Sequence, residues 1–186
     1  MNRLSVLVVG LSIFAVGCKG ESPTTPSQGT KTTSTFVVPL SPANEVPAIA
    51  NADASASGNA TIALTVTKDN AGGITAATVN FQITGRGFPD GTTVTAAHIH
   101  NAAAGVNGGV YVDTSLASGE MVITNGSGSV TKNGINVPAD RAAAIVSNPA
   151  GHYINVHTVR NPGGAIRGQL GAGGGGTVDP GTPVPY

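Results

Sequence analysis

The chain has 186 residues, of which 10% are charged and 4% aromatic, with 27 Gly, 12 Pro and no Trp. That composition excludes a charged helical bundle or coiled coil and favours one all-β domain built from small and β-branched residues. Nine basic side chains balance nine acidic ones, so there is no net basic field for nucleic acid, and no nucleic-acid partner is expected.

Met1-Asn2-Arg3 gives a short positive start, and Leu4 to Gly17 is an uncharged run of fourteen residues. A spanning helix needs about 20 apolar residues, so residues 1–17 read as a cleaved signal peptide. Ala15-Val16-Gly17 before Cys18 resembles a bacterial lipoprotein box, with Ala15 where Leu is usual. Cys18 is then the lipidated first residue of the mature chain, and the membrane is its partner through that anchor. The expected location is the bacterial cell envelope, periplasmic or surface-exposed. Cys18 is the lone cysteine, so an intrachain disulfide is excluded and packing alone must hold the fold. Between Cys18 and residue 35 there is no large apolar side chain, so residues 18–35 read as a disordered tether. Gly171 to Tyr186 is Gly-rich and then Pro-rich and reads as a tail.

Residues 36–170 carry period-two apolar alternation broken by Gly, Asn and Pro, the pattern of a sandwich or barrel. Ile62, Leu64 and Val66 share one face; the turn Asp69-Asn70-Ala71-Gly72-Gly73 follows; then Val79, Phe81 and Ile83 share the inward face of a second strand, completing a hairpin. Further strands are expected at Val94–His100, Gly109–Asp113, Glu120–Thr124, Tyr153–Thr158 and Ala165–Leu170. Pro138 to Ser147, with Pro at a first turn and Asp140-Arg141-Ala142-Ala143-Ala144 behind it, predicts one short helix across an end of the sandwich.

Three of the four histidines fall in these strands. His98 and His100 point together while Ile99 points away, and His157 shares a face with Tyr153 and Asn155, opposite Ile154 and Val156. If the isoleucines and Val156 make the core, the three imidazoles lie together on the outer face. A His-x-His on one strand plus a histidine on its neighbour can supply three nitrogen ligands to copper or zinc. The same rings could instead hydrogen-bond each other, Asn155 and loop carbonyls, pinning loops across the sheet, or transfer protons. His152, at a turn and of opposite parity to His157, reads as an exposed surface histidine, and Met121 has no role as a soft copper ligand.

The stretches F-V-V-P-L-S-P-A-N-E-V-P-A, V-T-A-A-H-I-H-N-A-A-A-G-V-N-G and Y-I-N-V-H-T-V-R-N-P-G-G-A-I-R-G-Q-L resemble, in order, the CHRD domain, a family found in chordin, the extracellular antagonist of bone morphogenetic proteins, and in many exported microbial proteins. The resemblance covers Phe36 to Leu170 and implies an immunoglobulin-like or Greek-key β-sandwich or barrel. It is distantly like copper/zinc superoxide dismutase, whose copper ligands also include a His-x-His strand. Family motif positions fall here on Glu45, His98, His100, Asn107, Gly108, Asn155, His157, Gly164, Arg167 and Gly168. Ala165 replaces the family's usual Glu, which leaves Glu45 as the carboxylate expected near the histidines or Arg167.

Glu45 and Arg167 could equally be a surface pair contributing about 0 to 1 kcal/mol. Asn107-Gly108 reads as turn geometry, and Arg86, Asp90 and Arg160 as loop charges. No nucleophile elbow and no H-E-x-x-H occurs in the sequence, so the reading leans away from an enzyme without deciding the point. The leading expectation is a lipid-anchored extracytoplasmic module that binds a protein or other extracellular ligand, or is structural, with no assured cofactor. The alternative is a copper- or zinc-binding protein using His98, His100 and His157, with Glu45, Asn155 and Arg167 as accessory residues and redox activity as an option.

Overall fold

A computed structural model describes residues 29–171 and the backbone of 176–178. Residues 1–17, read as a signal peptide, Cys18 and most of the segment read as a tail lie outside the described residues. Among the described residues nine strands, β1 (Thr30–Leu40), β2 (Ser57–Lys68), β3 (Ile74–Arg86), β4 (Val94–Asn101), β5 (Val110–Asp113), β6 (Gly128–Asn136), β7 (His152–Thr158), β8 (Ile166–Gln169) and β9 (Gly176–Val178), accompany one helix, α1 (Ala139–Ser147). They form two antiparallel sheets, ordered β6-β3-β2-β1-β9 and β5-β4-β7-β8. The molecule is an all-β sandwich with one short helix, as its alternation predicts. Ser41 and Arg167 exchange backbone hydrogen bonds of 3.0 and 3.1 Å, joining the end of β1 to β8 and closing one seam between the sheets.

Alternation dictates the core. Phe36, Val38 and Leu40 of β1, Ile62, Leu64 and Val66 of β2, and Val79, Phe81 and Ile83 of β3 face Val94, Ala97 and Ile99 of β4 and Ile154 and Val156 of β7, all buried. Ala142 and Ile145 are the buried face of α1, which packs against β2 and β3. Pro138 occupies the N-cap position, as its fixed φ and missing N–H suit a helix start. Met121 fills the core rather than a site: it is 1% exposed.

Four boundaries differ from the expectation. Strand β1 begins at Thr30, so residues 30–35 belong to the sheet and not to the tether; they pair with β2 from Thr30↔Lys68 to Thr35↔Ala63. Hydroxyl side chains suit a strand whose cohesion comes from backbone pairing, and an apolar test does not see them. Gly176–Val178, read as tail, pairs with β1. Glu120–Thr124 is no strand and makes only the isolated bridges Thr93↔Val122 and Thr124↔Ser127, because Asn125 (φ 51°) and Gly126 (φ 75°) turn the chain there in the manner of a type I′ turn. That turn launches β6, an edge strand with no large apolar alternation.

Candidate metal centre

The four-stranded sheet turns its inner face to the core and its outer face to three covering loops. Registers His98↔Asp113, His98↔Asn155 and Asn155↔Arg167 lay Asp113, His98, Asn155 and Arg167 in one row across β5, β4, β7 and β8. His100 pairs with Tyr153, and Ala96 with His157. The period-two geometry therefore gathers the three histidines as expected, but their face is roofed: every residue of β7 is buried, and His100 and His157 are each 7% exposed. Solvent reaches the cluster at His98, whose side chain is 19% exposed.

The rings are held individually. His157 Nδ1 lies 2.9 Å from Pro162 O and His100 Nδ1 3.0 Å from Gly108 O. A carbonyl only accepts, so both Nδ1 atoms carry the proton and both Nε2 atoms are left as lone pairs. His157 Nε2 accepts from His98 Nδ1 at 3.0 Å; His100 Nε2 is buried with no formed hydrogen bond, with the Asn155 side chain beside the ring. Burial pushes His157 down to about 4, with the neighbouring histidines adding to the effect, and burial likewise holds His98 and His100 below the ordinary histidine value. All three are thus neutral at pH 7, the form a metal requires.

The carbonyls are fixed by their own loops. Arg167, 1% exposed, donates through Nη2 to Ala103 O (3.1 Å) and Val106 O (2.8 Å) and through Nη1 to Asn107 Oδ1 (3.3 Å). Its Cζ is 3.3 Å from the centroid of Tyr153, whose ring stacks on His100 with centroids 4.8 Å apart. Gly108 serves close approach rather than positive φ, because a Cβ there would meet Asn101 O at 2.3 Å. On the other side, buried Asp53 accepts from Thr158 Oγ1 (2.9 Å) and Asn161 Nδ2 (2.6 Å) and faces Arg160 Nε at 3.6 Å. This anchors the loop that carries Pro162, so Arg160 is not an ordinary loop charge.

Glu45 and Arg167 are not a surface pair. Glu45 is 7% exposed, and burial raises its carboxyl to about 7 against the opposing pull of Arg167 and a hydrogen bond from Asn155. Among the described residues it makes no direct ion pair with Arg167. It lies against Gly164, where a Cβ would stand 2.6 Å from Glu45 Oε1 and 2.4 Å from Asn155 Nδ2. Asn155 itself donates to Gly163 O at 3.3 Å. His152 is also corrected: it is 3% exposed, because its parity puts it on the inner face of β7, where its Nδ1 donates to Asn148 O at 3.0 Å.

The carboxylate nearest a clustered ring is one that the sequence reading passed over. Asp113 Oδ1 is 3.8 Å from His98 Nε2. The signal was present in the β4–β5 hairpin, whose antiparallel register brings Asp113 opposite His98. The two backbone carbonyls that orient the rings had no such signal.

The family model for the CHRD domain matches residues 36–170. The chain belongs to the CHRD-domain family. No curated protein and no solved structure matches it significantly. CHRD domains occur in exported proteins, which fits an extracytoplasmic binding module. In this CHRD domain one nitrogen from each of His98, His100 and His157 lies within 4.8 Å of the others. Two donors on one tetrahedral zinc ion stand about 3.3 Å apart at the usual Zn–N distance, so the three rings are gathered near that spacing but stand wider than a ligating set.

Proposed function

We propose that this CHRD protein is an exported binding module, anchored to the membrane by lipid on Cys18, that takes a copper or zinc ion on His98, His100 and His157. The observation carrying the reading is the pair of buried imidazoles whose Nδ1–H groups are committed to backbone carbonyls, which leaves Nε2 of His100 and of His157 as the nitrogens free to ligate. Metal-binding histidines commonly fix their second nitrogen in this way. A purely hydrogen-bonded cluster pairs His98 with His157 and sets His100 beside Asn155, but the contact falls short of a formed hydrogen bond at both His100 Nε2 and Asn155 Oδ1, and an unmet buried acceptor costs about 1–3 kcal/mol. The donor set is three imidazoles with no thiolate, which suits copper or zinc. Solvent access at His98 provides an entry path.

Calorimetric titration of the purified domain with each metal tests this. Stoichiometric binding is expected, lost in His98→Ala, His100→Ala and His157→Ala and retained in His152→Gln, whose ring lies on the other face of the sheet. Equal binding by His157→Ala and the unmodified protein contradicts the site. For the anchor, Cys18→Ser should move the protein from the membrane fraction to the soluble one; unchanged retention with no lipid at Cys18 contradicts it.

A further inference from the structure

We infer that His98 exchanges its tautomer when the three-histidine site is loaded, with Asp113 as the positioning carboxylate that receives the displaced N–H. The inference rests on the metal reading above and assigns a role and a ligating atom that the reading leaves open.

The hydrogen bonds fix the starting state in sequence. Pro162 O can only accept, so His157 bears its proton on Nδ1 and offers Nε2. That lone pair must be met by a donor, so neutral His98 bears its proton on Nδ1, 3.0 Å away. His98 Nε2 is then a bare lone pair, and what it faces is Asp113 Oδ1, also an acceptor. Two acceptors with no proton between them do not close to hydrogen-bond distance, and the pair stands at 3.8 Å. The carboxylate is nonetheless aimed: the same Oδ1 accepts from Ser115 N at 2.8 Å, and the β4–β5 register places Asp113 directly across from His98.

When His98 Nδ1 and His157 Nε2 both turn lone pairs to one ion, the proton between them has to leave. It departs His98 Nδ1 and one returns from solvent to His98 Nε2, so the ring stays neutral and no proton is lost overall. The new Nε2–H points at Asp113, converting a standoff between acceptors into a charge-assisted hydrogen bond. Each of the three rings then has its non-ligating N–H on an oxygen: Gly108 O, Pro162 O and Asp113 Oδ1. The ligating atoms are Nδ1 of His98 and Nε2 of His100 and His157.

Long-range ¹H–¹⁵N spectra of the histidine rings, recorded with and without Zn²⁺, read the tautomers directly. The expected result is Nδ1–H for all three rings without metal, and with Zn²⁺ a change to Nε2–H at His98 alone. Asp113→Ala should weaken Zn²⁺ binding by about 10- to 100-fold, and Asp113→Asn, which keeps an acceptor for the Ser115 N–H, should weaken it less. Zn²⁺ bound with His98 still Nδ1–H, or bound undiminished by Asp113→Ala, overturns this assignment and leaves the three-histidine site standing. Failure of Zn²⁺ and copper to bind at all overturns both.

Discussion

A buried imidazole that has given one nitrogen to a backbone carbonyl has a single lone pair left to use, and His100 and His157 are both in that position. Their neutrality has a measurable consequence in the metal-free protein. His157 falls from 6.5 when exposed to about 4 in the fold, so between those values the unfolded chain binds more protons and stability drops as pH falls. Glu45 acts with the opposite sign. Its carboxyl rises from 4.5 to about 7, so the folded state holds the extra proton and Glu45 favours folding as pH falls from about 7 towards 4.5, an advantage lost as pH rises back through 7. Glu45→Gln removes that compensation, and its melting temperature should fall more steeply than that of the unmodified protein between pH 6.5 and 4.5. Superimposable pH profiles would contradict the assignment of Glu45. At this scale the clustering of the three rings was legible, because parity alone puts His98, His100 and His157 on one face. The roof over them was not, since it is made by Arg167, Asp53 and Asn161 reaching between segments far apart in sequence.

At the scale of elements, the strands with large alternating side chains read plainly: β2, β3, β4 and β7 start or end close to where Ile62-Leu64-Val66, Val79-Phe81-Ile83 and the histidine strands place them. Phe81 tests that face. It is 1% exposed, so Phe81→Ala should cost about 3 to 5 kcal/mol, a large part of the stability of a domain this size. An unchanged denaturation midpoint would mean that β3 turns its other face inward. The elements that escaped the alternation test are those held by backbone rather than side chains. Thr30–Thr35 is tied by pairing to β2, with a 2.8 Å contact between the Thr33 and Thr65 hydroxyls. β6 has just two large apolar residues, Val130 and Ile135, packed at the core margin along the sheet edge, and it passes a positive-φ glycine at Gly134 (φ 67°), where Gly134 N donates to Asn80 Oδ1 at 2.8 Å.

For the molecule as a whole, the two sheets divide the work. The five-stranded sheet supplies more of the apolar core than the four-stranded sheet does, and the four-stranded sheet carries on its outer face a polar row from Asp113 to Arg167, covered by loops that its own arginine and a buried aspartate hold in place. With one cysteine in the chain, this rigidity comes from packing and hydrogen bonds, and it is what presents three neutral imidazoles together. The CHRD fold was legible from three ordered motifs; the chemistry of its histidine face depended on carbonyls and a cross-strand aspartate that only the assembled sheet brings together. The most direct test is elemental analysis of the protein purified from its native source without added metal. The account predicts stoichiometric copper or zinc in the unmodified protein and its loss in His157→Ala, whereas metal-free protein from that source, or equal metal in both, would contradict it.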